Sequence, residues 1–167
     1  MPLLDLSPKT AVPASLAACT RPGLIVPELR ERDTAGVIGE LSLVLHRGGG
    51  VPDMLRLYHT ALNQELMANS ALECGVALPH ARLSGVKQLQ FALGRTREPI
   101  TWGTNSARPV QFIFLLAVPA TDAASYLHLL ASIARLGGDS ESLAELRAAQ
   151  TPGQMLAVLE KIQIRQG

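Results

Sequence analysis

Apolar residues recur along this chain in two alternating rhythms. Leu24-Ile25-Val26, a short branched run after the turn signal Pro22-Gly23, predicts a first strand. Val37, Ile38, Leu41, Val44 and Leu45 then return at the spacing of one helical face, behind Asp33 at an N-cap position, and the pattern stops at Gly48. Pro52 suits the first turn of a second helix, on which Leu55, Tyr58, Leu62 and Leu66 make the expected buried stripe. Val76-Ala77-Leu78 reads as a short buried strand that Pro79 closes, leaving His80 at the strand's end. Leu89, Phe91 and Leu93 alternate with Gln90 and Ala92, the pattern of a strand with one face on a core, and a charged turn is expected from Arg95 to Pro99. Val110 to Val118 is almost continuously apolar up to Pro119, as a central strand covered on both faces must be. Three helices complete the chain. The first has Thr121, Asp122 or Ser125 as its cap and Leu127, Leu130, Ala131 and Ala134 inward; the second is capped near Asp139 with Leu143 and Leu146 inward. The last is opened by the capping box Thr151-Pro152-Gly153-Gln154 and carries Met155, Leu156, Leu159 and Ile162.

Strands interleaved with helices predict an α/β fold: a single domain with a mixed, partly parallel sheet flanked by helices on both faces. Residues 1–14 carry Pro2, Pro8 and Pro13 without any apolar period, which predicts an N-terminal tail ahead of a domain spanning 15–167.

Composition narrows the partners. The 167 residues are 47% hydrophobic and 17% charged, enough for one sizeable core. A net charge of +1 provides no broad basic field for nucleic acid or an anionic membrane surface. The longest apolar run, Phe112 to Val118, falls far short of the roughly 20 residues that span a bilayer, so no membrane insertion is expected. MPLLDLSPKT lacks the basic and apolar regions of a signal peptide, and Cys19 and Cys74 provide neither a disulfide framework nor zinc-motif spacing. A cytoplasmic protein with no metal and no cofactor is the expectation. Gly48-Gly49-Gly50 is followed by no Lys-Ser or Lys-Thr, so it reads as a helix terminator rather than a phosphate loop.

Histidine carries the candidate chemistry. His80 follows Pro79 at the end of a rigid strand, where an imidazole can be held in place and still reach solvent, although a lone histidine there more often satisfies a local hydrogen bond. His46 and His59 read as packing or surface residues. His128 falls off the expected inward stripe of its helix, in line with Ser132 and Arg135.

The segment GVALPHAR, the strand QFIFLLAVP and the helix opening YLHLLASIARLG together resemble the enzyme IIA domain of the phosphoenolpyruvate-dependent sugar phosphotransferase system, in its fructose, mannitol and nitrogen-regulatory superfamily. The resemblance runs from about Ser15 to Ile162 and is most specific at Val76-Ala77-Leu78-Pro79-His80-Ala81. It implies that His80 receives a phosphoryl group from the histidine phosphocarrier protein. His128, at the family's His-Leu-x-x-Leu-Ala position, would be the second histidine of the site. The phosphohistidine would be passed to enzyme IIB for sugar transport or kept as a regulatory signal of the nitrogen type. A regulatory protein-binding module with weak or no phosphotransfer is the alternative. The chain departs from the family at Gln64, where an arginine is usual before the retained Glu65, at Asn69-Ser70-Ala71, where Ser-Thr-Gly is usual, and at Glu73. Gln64 and Ser70 are accordingly the phosphate-site candidates beside the histidines. Replacing a guanidinium with a neutral amide removes fixed charge, for which Arg82 or Arg108 are the available substitutes.

Overall fold

The computed structural model describes residues 15–103, 108–122 and 124–165; the expected tail, 1–14, lies outside the described residues. Five strands form one mixed sheet: β1 (Ile25–Val26), β2 (Val76–Ala77), β3 (His80–Leu83), β4 (Gln90–Trp102) and β5 (Arg108–Pro119). Five helices surround it: α1 (Thr34–Arg47), α2 (Met54–Met67), α3 (Ser125–Gly137), α4 (Ser140–Ala148) and α5 (Pro152–Glu160). The spatial order is β1-β4-β5-β2, with β3 also paired to β5. β4 and β5 are antiparallel, and the other pairings are parallel.

β5 is central because its side chains alternate between two cores. Phe112, Phe114, Leu116 and Val118 face α3, α4 and α5, where they join Leu129, Ile133, Leu146, Met155 and Leu159. Ile113, Leu115 and Ala117 face α1 and α2, packing with Ile38, Leu41, Leu57 and Ala61. β4 is buried on both faces as well: Ala92 lies in the second core while Phe91 and Leu93 lie in the first. The single core face expected from its alternation is therefore corrected, because alanine is small enough to seat a helix closely.

The helix starts follow from their caps. Asp33 accepts from Gly36 N, Asp53 from Arg56 N, Asp139 from Ser142 N and Thr151 from Gln154 N, each satisfying a donor that the first turn leaves free. Pro52 precedes the Asp53 cap and so stands outside α2. The capping box of α5 closes one residue early, since the Gln154 side chain accepts from Gln150 N. α1 ends at Gly48, and Gly49 takes the positive φ of 88° that the reversal requires.

Three expectations about faces fail for physical reasons. On α2 the buried residues are Leu57, Ala61 and Glu65, while Leu55 and Leu66 are exposed. On α3 they are Leu129, Ser132, Ile133 and Leu136, while Leu127 is 53% exposed. Both stripes were displaced because a polar residue, Glu65 or Ser132, takes a core position. The third is the charged turn at 95–99, which is instead part of β4, interrupted by a register irregularity between Arg95 and Ile100.

Arg95 explains how a charge fits there. Its Nε donates to Pro27 O at 2.9 Å, and its Nη1 donates to Leu146 O and Ala149 O at 2.8 and 2.6 Å. The guanidinium thereby satisfies carbonyls that α4 leaves free at its C-terminus. Burial lowers its pKa from the ordinary arginine value, with the charge of Glu28 acting in the opposite direction. Arg95→Met keeps most of the apolar stem and removes every donor, so a loss of about 2–3 kcal/mol is expected in urea unfolding. An unchanged midpoint would show that water replaces the guanidinium at no cost.

Candidate functional site

β2 and β3 are one strand with a notch. Val76 and Ala77 pair with Phe112 and Ile113, and His80 to Leu83 pair with Leu116 to Pro119, in a single continuous register. Leu78-Pro79 interrupts it, because Pro79 has no N–H to give, although its carbonyl still accepts from Leu116 N at 2.9 Å. His80 therefore begins β3, where it was expected to follow a finished strand. Alternation along β3 buries Ala81 and Leu83 and turns His80 and Arg82 to the outer face.

Among the described residues, three groups lie against the half-buried His80 ring. Nδ1 lies 2.9 Å from Leu78 O, Nε2 lies 3.4 Å from Gln64 Nε2, and the Tyr126 ring centroid lies 6.4 Å away. A carbonyl can only accept, so Nδ1 carries the hydrogen, and in the neutral ring Nε2 keeps its lone pair. The Gln64 amide faces that lone pair at the outer limit of hydrogen bonding.

A buried network holds the N–H of Leu78, the residue whose carbonyl holds His80. Glu65, 4% exposed, receives three donors on Oε1: Trp102 Nε1 at 2.6 Å, Ser70 Oγ at 2.9 Å and Ser70 N at 2.8 Å. Ser70 Oγ in turn accepts from Leu78 N at 2.9 Å. Asn69 adds a second tie to β4, donating to Trp102 O at 3.2 Å. The connection from β4 through α2 to the Leu78-Pro79 notch is thus continuous in hydrogen bonds, and Ser70 acts on the peptide before His80 rather than on the ring.

Of the expected site residues, Gln64 is in direct contact with His80 and Ser70 is two bonds removed. His128 is half-buried on α3, and its carbonyl accepts from Ser132 Oγ at 2.8 Å. Among the described residues, no hydrogen bond or ring contact joins it to His80. Tyr126, on the same helix, has its ring beside His80. Residues two apart on a helix are separated by about 200°, so Tyr126 and His128 stand at opposite edges of the buried stripe of α3. α3 begins at Ser125 without a side-chain cap from its own N-cap residue; Asp122 Oδ1 accepts from Ala124 N and Ser125 N instead. The His128 N–H is already engaged with Ala124 O, so it is not one of the free donors of the first turn.

Two residues left out of the expected site, Trp102 and Glu65, belong to this neighbourhood, as does Arg82, named above as a substitute for the missing guanidinium. Trp102 and Glu65 form its buried end, and Arg82 places its guanidinium 5.5 Å from the Tyr126 ring centroid. Glu65 was noted only as a retained residue, and nothing in the spacing signalled Trp102. Glu73 is exposed, and the Arg108 guanidinium lies 3.5 Å from Ala71 O. Among the described residues no group of three or more His, Cys, Asp or Glu side chains is arranged to hold a metal ion. Among the described residues no helix is long and apolar enough to cross a membrane.

Residues 20–162 match the family model for the phosphoenolpyruvate-dependent sugar phosphotransferase system, EIIA 2. The chain belongs to this family. A nitrogen regulatory protein of Bradyrhizobium diazoefficiens is 28% identical over 138 residues, covering 83% of this chain and 90% of that protein. The 2-O-alpha-mannosyl-D-glycerate-specific EIIABC component of Escherichia coli is 31% identical over 99 residues, which are 58% of this chain. This chain spans only 15% of that multidomain relative's length. In three dimensions the chain is similar to nitrogen regulatory protein IIA-Ntr from Neisseria meningitidis, with a TM-score of 0.72 and 26% identity over 86% of this chain and 98% of that one. It also shares the fold of the E. coli enzyme IIAMTL in its complex with phosphorylated enzyme IIBMTL, with a TM-score of 0.69 at 13% identity over 83% of this chain and 95% of that one.

Both cysteines are free. Burial pushes the Cys19 thiol up to about 11, whereas Cys74 is half-buried on the segment leading into β2. Since the thiolate is the reactive form, iodoacetamide at pH 8 is expected to alkylate Cys74 and spare Cys19 until the fold is opened with urea. Equal labelling of both thiols in the native protein, read by peptide mass spectrometry, would contradict this placement.

Proposed function

We propose that the protein is a phosphocarrier that accepts a phosphoryl group on His80 Nε2 from the histidine phosphocarrier protein. It then passes the group to an enzyme IIB or retains it as a regulatory signal of the nitrogen type. The observation that carries this reading is the tautomer: the Nδ1 hydrogen is held by Leu78 O, which leaves the Nε2 lone pair as the nucleophile. That lone pair forms the new P–N bond while the P–N bond in the donor breaks and its electron pair returns to the donor's ring nitrogen. His80 then has phosphorus on Nε2 and hydrogen on Nδ1, a cationic ring that the Leu78 carbonyl stabilises and that makes a good leaving group in the onward transfer. The transferring group resembles metaphosphate, with charge spread over its oxygens, so positioning and charge compensation are what the protein must supply.

Family membership supports the carrier role, and the nitrogen regulatory relatives, one of them matched over 90% of its length, favour the regulatory branch. A cytoplasmic setting, where the phosphoenolpyruvate-driven donors are available, accords with the reduced cysteines. The test is incubation with phosphoenolpyruvate, enzyme I and the histidine phosphocarrier protein, followed by phosphopeptide sequencing. The expected product is an acid-labile, alkali-stable phosphate on the peptide containing His80. A protein that binds a partner and never becomes labelled would instead be a binding module without phosphotransfer.

A further inference from the structure

Phosphorylating Nε2 places a dianion beside Gln64, a neutral amide, so the charge must be balanced from another direction. Arg82 is two residues along β3 from His80, on the same outer face, about 6.6 Å away at the strand rise. The two side chains flank one ring: Tyr126 has His80 6.4 Å from its centroid and the Arg82 guanidinium 5.5 Å from it. The guanidinium is exposed and is held by backbone carbonyls only, Nη2 donating to Ala120 O at 3.0 Å and Asp122 O at 2.8 Å. Among the described residues it makes no salt bridge, and the Asp122 carboxyl below it is turned to the start of α3. Among the described residues Nε and Nη1 have no hydrogen-bond partner, on a group that shares the Tyr126 ring with the imidazole.

We infer that Arg82 is the phosphate-binding residue of this site, donating one free guanidinium N–H, from Nε or Nη1, to an oxygen of the phosphoryl group on His80. Tyr126 acts as the platform that positions it, and the Ala120 and Asp122 carbonyls anchor Nη2. A charge-assisted hydrogen bond from a guanidinium to a phosphate oxygen is roughly twice as strong as the neutral bond an amide gives. The inference rests on the phosphocarrier reading and adds to it the source of positive charge.

A small chemical donor separates this role from docking of a protein partner. Phosphoramidate supplies the phosphoryl group, its P–N bond breaking as the Nε2–P bond forms, with ammonia leaving. Labelling of the full chain is followed by mass spectrometry and 31P NMR for the parent, Arg82→Gln and Arg82→Lys. Glutamine can still donate to the loop carbonyls, so the urea midpoint is expected to stay near the parent's. The labelling rate is expected to fall about tenfold in Arg82→Gln, with partial recovery in Arg82→Lys, as loss of one charge-assisted hydrogen bond implies. Raising salt is expected to slow the parent more than Arg82→Gln, because only the parent attracts the anionic donor through this charge. A parent that takes no phosphate overturns the carrier reading and this inference together. Label on His80 whose rate and salt dependence are the same in all three proteins overturns the role of Arg82 alone.

Discussion

His80→Ala is expected to fold as the parent does and to acquire no acid-labile phosphate from the histidine phosphocarrier protein, while His128→Ala is expected to be labelled at close to the parental rate. The contrast follows from where the two rings lie. His80 is half-buried at the first residue of an outer strand, so its removal opens no core cavity, and stability should change by no more than about 1 kcal/mol. It is also the ring whose Nε2 lone pair is met by the Gln64 amide at the outer limit of hydrogen bonding, 3.4 Å. His128 contributes its backbone carbonyl to Ser132, a bond that alanine at 128 preserves. Tyr126→Ala, by contrast, should slow labelling, because the ring beside His80 and under Arg82 is lost. Rates from a radiolabelled transfer assay decide between these assignments. Strong impairment in His128→Ala with a normal rate in Tyr126→Ala would reinstate the second histidine in place of the tyrosine.

The second large effect is on stability. Glu65→Ala leaves three donors without their acceptor, the Trp102 indole N–H and both the N–H and O–H of Ser70. Orphaned buried donors cost about 1–3 kcal/mol each, and water can reach the half-buried serine, so a total near 3–5 kcal/mol is expected in urea unfolding. Glu65→Gln retains an oxygen in the same place and should cost only about 1 kcal/mol. Trp102 is the only tryptophan in the sequence, so its fluorescence reports this end of the network directly. Because Ser70 also fixes Leu78 N, the alanine variant should label slowly as well as unfold early. Equal midpoints for Glu65→Ala and the parent would mean that the three donors find other partners and that the network does not position the histidine.

How far the chain could be read in advance depended on how its burial is achieved. β5 was legible because a strand covered on both faces has no polar residue to interrupt it, and α1 because Asp33 announces its start. α2 and α3 were recognised as helices but rotated incorrectly. In α2 the core positions are held by Ala61 and Glu65, which a search for large apolar residues passes over, and Leu55 and Leu66 were assigned inward in their place. In α3 the polar residues Ser125, His128, Ser132 and Arg135 share one side, which reads as the solvent face, yet Ser132 is buried. That rotation explains the site as well. With Leu129, Ser132, Ile133 and Leu136 inward, Tyr126 and His128 stand at the two edges of the buried stripe, and it is the Tyr126 ring that lies beside His80. Arg95 misled for the complementary reason: a charge in sequence suggests a turn, whereas this one is enclosed by carbonyls.

The shared register of β2 and β3 on β5 makes that strand a ruler for the reactive ring. Val76 opposite Phe112 and His80 opposite Leu116 count the same number of steps on both chains. Deleting or adding one residue at Leu78-Pro79 would turn every later side chain over, driving His80 inward and Ala81 outward. Length changes are far better absorbed before Gly75, whose positive φ already bends the chain away from the sheet. The distance from Gly75 to the imidazole is therefore fixed by backbone arithmetic, whatever partner comes to collect the phosphate.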